Sequence, residues 1–282
     1  MKLLGIDLGG TNVRVGLVEH QALTRVESMP ITSGGSETDV LDNIHDVLGK
    51  FSGVPIDGIG IGVPSVVDVE QGIVYDVQNI PSWKAVPLKK IMEERYRVPV
   101  FVNNDANCFA AGEKYFGNAT PYQNIVGLII GTGLGAGLII NNRLYAGKNC
   151  GAGEFGNIPY KDHTYEYYCS GQYFTREFGV TGKDVCEKAD AGDALALAIF
   201  RKYGAQLGEA IKLIMYAVDP EAIILGGSVG KSFRFFQEEM WKTIKDFAYS
   251  QSAEKIHIDV SKKENIAILG AAALYLDAHG KE

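Results

Sequence analysis

Nowhere among its 282 residues does the chain carry an apolar run long enough to span a bilayer, because glycine or charge interrupts the longest candidates. Basic residues are also short, 27 against 34 acidic, for a net charge of −7. That balance supplies no positive field to hold a phosphate backbone and excludes sequence-independent nucleic-acid binding. Cysteine is scarce: Cys108, Cys150, Cys169 and Cys186 follow no CxxC spacing and read as reduced thiols, not as a disulfide frame. Met1 and Lys2 run directly into Leu3-Leu4-Gly5-Ile6 without a charged leader or small-residue cleavage site, so a cytoplasmic location is expected. No Pro/Ser-rich linker or low-complexity segment interrupts the chain. The two domains that this length suggests, at roughly 150 residues each, must then share a continuous hinge.

What is present is an alternation of apolar runs ending in glycine turns with longer segments of helical period, the pattern of an α/β protein. Strands are expected at Lys2 to Leu8, Val13 to Val18, Gly58 to Val63, Val100 to Asn103, Ile125 to Ile130, Ala136 to Ile140 and Ala222 to Leu225. Helices are expected at about Asp39 to Lys50, Leu88 to Tyr96, Ala106 to Tyr115, Gly192 to Val218 and Ser232 to Ser250, with a closing helix from Ile268 to Ala278.

Sliding the chain on itself by 121 positions lays Gly10-Thr11 on Gly131-Thr132 and Gly16-Leu17 on Gly137-Leu138, inside IDLGGTNVRVGLV and LIIGTGLGAGLII. Each copy reads as a strand, a tight Gly-Thr turn and a second strand. One such glycine string is weak evidence and fits an ordinary hairpin. Two copies, each opening an α/β half, make that plain reading much less apt. Gly9, Gly10, Thr11 and Asn12 in one copy, and Gly131, Thr132 and Gly133 in the other, offer backbone N–H groups and hydroxyls that can converge on phosphate oxygens. Asp7 reads equally as a strand-end turn former and as the carboxylate of a hydrated Mg²⁺ bridging those phosphates. No GxxxxGK[ST] loop occurs, and the turns return into strands instead of opening helices, which excludes a dinucleotide fingerprint. A third glycine turn, Gly226-Gly227-Ser228, follows the apolar run Ala222 to Leu225 and taken alone is a plain strand-to-helix connection.

In this order the three turns resemble the phosphate-1, phosphate-2 and adenosine motifs of the actin, Hsp70 and sugar kinase superfamily. Within it the chain resembles the ROK family of sugar kinases and sugar-responsive repressors. The resemblance rests on IDLGGTNVRVGLV, IGVPSVVDVEQGIV with NIPSW, FVNNDANCFA, GTGLGAGLII, GAGEFGN, EYYCSG and IILGGS, and covers nearly the whole chain. It implies a two-domain actin-like ATPase fold of the ribonuclease H-like type with the site in the interdomain cleft. The first domain would span 1–116 plus 267–282 and the second 117–266. It further implies ATP and Mg²⁺ as cofactors, a small-molecule sugar as substrate and the homodimer usual in the family, while the charge balance and the apolar runs leave no nucleic acid or membrane partner expected.

Asp105 follows the apolar strand Val100 to Asn103 and taken alone is most simply the N-cap of the next helix. The resemblance makes it instead the general base that takes a proton from a sugar hydroxyl while Asn104 orients that sugar. It also assigns sugar contacts to Glu154, matching the Glu of the family's E-x-G-H motif, and to Glu166, matching the Glu after its cysteine cluster. On composition alone both would more often be surface acids. Ser65 and Gly147 join the expected sugar pocket.

The sequence departs from the family at Asn157, where the usual histidine stands, and at Tyr160-Lys161-Asp162-His163-Thr164-Tyr165, where the CxCGxxGC cluster is replaced. All four zinc ligands are absent together, so no zinc is expected and Asn157 keeps only the sugar hydrogen bond. Tyr165, Tyr167 and Tyr168 would pack the shortened loop, with lining of the sugar pocket as the alternative, and His163 would lie at the surface. The resulting expectation is a glucokinase-like hexose kinase acting at a 6-hydroxyl. Fructose, mannose, N-acetylmannosamine and N-acetylglucosamine stand as alternative acceptors, and a sugar-binding regulator as the alternative class. Family repressors carry a helix-turn-helix ahead of the first phosphate turn, and only six residues precede Asp7 here.

Overall fold

The computed structural model describes residues 1–280 and divides into two compact units. Unit one comprises Met1–Pro121, Gly137–Ala152 and the chain from Lys263 on; unit two comprises Tyr122–Ala136 and Gly153–Lys262.

Unit one is built on a five-stranded sheet of β1 (Lys2–Leu8), β2 (Asn12–Glu19), β3 (Ala22–Pro30), β4 (Gly58–Val63) and β5 (Val100–Asn104), in the order β3-β2-β1-β4-β5. β1 runs antiparallel to β2 and parallel to β4, with Asp7 opposite Arg14 on one side and Gly62 on the other. All six residues of β4 are buried, as expected of a strand covered on both faces. One face meets α1 (Glu37–Gly49) and α2 (Leu88–Tyr96) through a core that includes Ile6, Val15, Ile44, Ile61 and Trp83. Beyond β5 comes α3 (Asp105–Phe116).

The closing helix, Ile266–His279, is apolar around most of its circumference and is therefore buried. It reaches the sheet only because glycines lie beneath it. A Cβ on Gly60 would collide with the Ala271 carbonyl, and one on Gly270 with the Cys108 carbonyl of α3.

The second sheet repeats this plan. Its strands are β6 (Ile125–Ile130), β7 (Leu134–Ile140), β8 (Arg143–Tyr145), β9 (Ala222–Gly226) and β10 (His257–Val260), in the order β8-β7-β6-β9-β10. The chain passes from unit two to unit one along β7. The sequence repeat thus falls on two hairpins in matching places, β1–β2 and β6–β7, each on the antiparallel side of its sheet. Unit two also holds α4 (Tyr165–Cys169), α5 (Ala194–Val218) and α6 (Phe233–Ile244), with Phe174, Phe200, Tyr203 and Phe236 packed ring on ring.

Three expectations need correction. The helix expected from Ser232 to Ser250 stops at Ile244, because Phe247 turns inward and packs 4.3 Å from the Tyr216 ring; a separate short helix, Ser250–Lys255, follows. α5 begins at Ala194 and not at Gly192, since Asp193 caps it by accepting the Ala196 N–H. β3 was not expected, because it is an edge strand without a fully buried residue and so shows no clear alternation.

Candidate functional site

The expected site residues fall into two groups, one in each unit. In unit one, the turn after β1 is closed by the Gly9 N–H donating to the Asn12 carbonyl at 2.9 Å, with Thr11 and Asn12 exposed. Gly10 faces Asn79 of the NIPSW segment, whose Cβ would stand 2.7 Å from a Cβ at Gly10. Asp7 is held by Arg14, which donates Nε at 3.0 Å and Nη2 at 2.6 Å to the same oxygen, Oδ2. Both side chains retain some exposure.

At the strand-to-helix junction after β5 the cap is not Asp105. Asn104, not Asp105, is the N-cap of α3: its Oδ1 accepts the Asn107 N–H at 2.7 Å. Asp105 is the first helical residue and is exposed, with Oδ1 accepting the Ala106 N–H at 2.9 Å. Because Asn104 uses its oxygen as the cap, the group it can offer outward is its amide N–H₂. Beneath lies buried Asn103, whose Oδ1 accepts the Asn104 N–H at 2.9 Å, Asn107 Nδ2 at 2.9 Å and the Cys150 thiol at 3.3 Å.

One turn further on, burial first, and then the charges of Asp105 and Asp7, push the Cys108 thiol well above its ordinary range. Ser65 donates its hydroxyl to the Tyr75 carbonyl, which leaves its oxygen as an acceptor only. Gly147 occupies a left-handed position, φ +74°, after β8.

In unit two, the Gly131-Thr132-Gly133 turn is closed by the Gly131 N–H donating to the Gly133 carbonyl at 3.0 Å. Thr132 is exposed. Glu154 precedes a short 3-10 turn, Phe155–Asn157, and Asn157, its last residue, donates Nδ2 to Glu154 Oε2 at 2.8 Å. Glu166 lies in α4, capped by Thr164, and its Oε2 accepts the Leu134 N–H at 3.0 Å. At the end of β9, Gly226 is buried, while Gly227 at φ +84° lies against the backbone of Ile130, where a side chain would collide. A cavity of about 560 Å³ opens here, with Gly131, Thr132, Phe174, Lys183, Ser228 and Lys231 among its lining residues.

The segment standing where the resemblance places a cysteine cluster is held by rings and charge. Tyr160 stacks on Tyr165 at 4.3 Å, His163 on Tyr167 at 3.9 Å, and Lys161 Nζ sits 5.2 Å over Tyr160 and 5.1 Å over Tyr168. Its hydrogen bond to Asp162, with burial second, raises the Tyr168 hydroxyl to about 12.

Sequence reasoning missed Arg14, Asn79, Asn103 and Asn107. Arg14 had a signal: a hairpin turning at Gly9 to Thr11 pairs residue 7 with residue 14. Asn107 also had one, in the amide three residues past Asn104. Asn79 had none, since its approach to Gly10 is made by tertiary structure.

The profile of the ROK family matches residues 3–278. A glucokinase of Thermotoga maritima is 29% identical over 316 aligned positions, which cover 99% of this chain and 99% of that enzyme. The xylose repressor of Bacillus subtilis is also 29% identical, over 97% of this chain and 77% of the repressor. A solved ROK family glucokinase from Streptomyces griseus, in complex with glucose and AMPPNP, matches with a TM-score of 0.80 at 26% identity, covering 99% of this chain and 100% of that one. The architecture is accordingly the actin-like ATPase fold of ROK sugar kinases. With motifs, strand order and family profile agreeing along almost the entire length, this chain belongs to the ROK family.

Proposed function

We propose that the protein is an ATP-dependent hexose kinase, with the 6-hydroxyl of glucose as its leading acceptor. The observation that carries this reading is the junction after β5, where Asn104 is the N-cap and Asp105, the first helical residue, presents an exposed carboxylate beside it.

Asp105 is assigned as general base, accepting the proton of the attacking hydroxyl. Asn104 is assigned to offer its amide N–H₂ to a sugar oxygen, Glu154, Asn157 and Glu166 to offer acceptors and a donor to sugar hydroxyls, and Ser65 and Gly147 are assigned as further sugar contacts. The Gly131-Thr132 turn and Ser228, which share one cavity wall, are assigned to the nucleotide. At about 560 Å³ the cavity is within the usual range for a small-molecule site. Gly9 to Asn12 and Gly133 complete the phosphate contacts, and Gly226 and Gly227 shape the floor.

Asp7 Oδ1 accepts no hydrogen bond from the described residues, and a single carboxylate suits a Mg²⁺ ion that keeps most of its waters. When bound, Mg-ATP supplies the phosphoryl group and neutralises its charge. Cytoplasmic location and homodimeric assembly belong to the same proposal and follow from the family resemblance.

A second reading, a sugar-responsive regulator, is favoured by the equal likeness to the xylose repressor. ADP release from Mg-ATP with glucose, fructose, mannose, N-acetylmannosamine and N-acetylglucosamine separates the two. Turnover on one sugar is expected. Thermal stabilisation by a sugar with no turnover on any would favour the regulator.

A further inference from the structure

In unit two the stretch from Glu166 to Gly171 holds the Gly131-Thr132-Gly133 turn at both ends. At one end Glu166 Oε2 accepts the Leu134 N–H at 3.0 Å. Gly133 leaves no slack there, since a Cβ on it would stand 2.6 Å from that same oxygen. At the other end the Gly171 N–H donates to the Gly131 carbonyl at 2.7 Å, and a Cβ on Gly171 would lie equally close, 2.7 Å from that oxygen.

Between the two grips the Ser170 N–H donates to the Glu166 carbonyl at 3.0 Å, so the stretch cannot lengthen without breaking a bond. The Ser170 hydroxyl is fully buried there and has no hydrogen-bond partner among the described residues. Such a group gains from any shift of the turn that brings it a partner. The loop carrying Glu154 and Asn157 leans on the same spot: a Cβ on Gly156 would stand 2.5 Å from the Leu134 carbonyl and 3.4 Å from Glu166 Cβ.

We infer that Glu166 is a positioning residue that couples the two ligands. Engagement of its carboxylate by a sugar sets the phosphate turn, so sugar and nucleotide each bind more tightly in the presence of the other. The inference rests on the hexose kinase reading. Glu166 Oε1 accepts no hydrogen bond from the described residues and is the oxygen left for a sugar hydroxyl, while Oε2 is tied to the turn. A donor at Oε1 fixes the carboxylate plane and with it the direction from which Oε2 meets the Leu134 N–H. Rotation of the carboxylate is felt at the turn through the bond of Oε2 to the N–H of Leu134, the residue that follows Gly133. Coupling of this kind is reciprocal by linkage.

The test is calorimetric titration of AMPPNP with Mg²⁺ into the full chain, with and without each of the five sugars, and of each sugar with and without AMPPNP. In the wild type, whichever sugar binds should raise nucleotide affinity about fivefold or more, and AMPPNP should raise sugar affinity by the same factor. Glu166→Gln keeps the shape, removes the charge and should bring that factor close to one. Gly133→Ala should do the same by driving the carboxylate away. Glu154→Gln is the control: Glu154 has no bond to the turn, so sugar binding should weaken while the coupling factor stays at its wild-type value.

If Glu166→Gln weakens sugar binding but keeps the factor, Glu166 is only a sugar ligand and the inference is overturned. Wild-type affinities that ignore the second ligand overturn the coupling and leave the kinase reading standing. Failure of every sugar to bind removes that reading and the inference together.

Discussion

Asn103 ties together the start of α3 beneath Asn104 and Asp105. Its single oxygen takes the Asn104 N–H, which is part-buried, and the Asn107 side-chain N–H₂ and the Cys150 thiol, which are buried. Asn103→Ala would remove the acceptor the three donors share, at about 0.5–1.5 kcal/mol for each bond lost. The expected result is a fall in unfolding free energy of a few kcal/mol, measured by urea titration, with a fall in kcat because Asn104 and Asp105 lose their seat. A stability loss with unchanged kcat would show that the network is structural only.

Arg14 makes the opposite prediction. Its ion pair with Asp7 keeps part of its exposure, so Arg14→Met should cost no more than about 1 kcal/mol. The same change removes a fixed cation beside the first phosphate turn and should raise the KM for Mg-ATP; an unchanged KM would place Arg14 outside the site. At this scale Asn104, Asp105 and the glycine turns were legible because each motif is contiguous. Asn79 was not, because nothing in a linear string says what will lie against Gly10.

Among the elements, the closing helix shows how close packing constrains sequence. Gly60→Ala should destabilise by about 1–3 kcal/mol or more, since the added methyl meets backbone and cannot be relieved by a rotamer change. Gly49, at the end of α1, has nothing within 4 Å of a Cβ, so Gly49→Ala should be neutral or stabilising by about 0.4–1 kcal/mol. Thermal melts of the two variants side by side test this, and equal shifts would contradict it.

The contact of α1 with α2 carries a pH dependence. His45 Nδ1 lies 2.9 Å from the Tyr96 hydroxyl, and burial first, then the charge of Arg95, holds the histidine below its ordinary value despite Asp42 and Asp46. The folded chain thus binds fewer protons than the unfolded one in that window. The contribution is complete above about pH 6.5 and is lost as pH falls through the folded value. Melting temperatures should begin to drop near pH 6.5, and His45→Gln should move the onset down into the carboxylate range, about pH 4–5. An identical onset in both proteins would remove His45 as the cause. Elements with strong periodicity, such as α5 and β4, were legible in advance. The end of α6 was not, because the inward turn of Phe247 depends on the Tyr216 ring more than thirty residues earlier.

For the molecule as a whole, the most informative feature of the sequence was its repeat. The 121-residue offset predicted two strand-turn-strand units, and they appear in matching positions of two sheets with the same strand plan. What the repeat could not reveal is which residues join across a turn, such as Glu166 with Leu134, because α4 has no counterpart in the first copy.

The central claim is that Asp105 removes the proton from a bound sugar, and it is tested most directly by comparing Asp105→Asn with the wild type on the same sugar in two measurements, binding and turnover. An amide at that position keeps the shape and a hydrogen bond but cannot accept the proton. Sugar affinity should therefore stay within a few-fold, while kcat falls by about 10²-fold or more. Turnover at the wild-type rate would contradict the assignment, and so would loss of turnover matched by an equal loss of sugar binding.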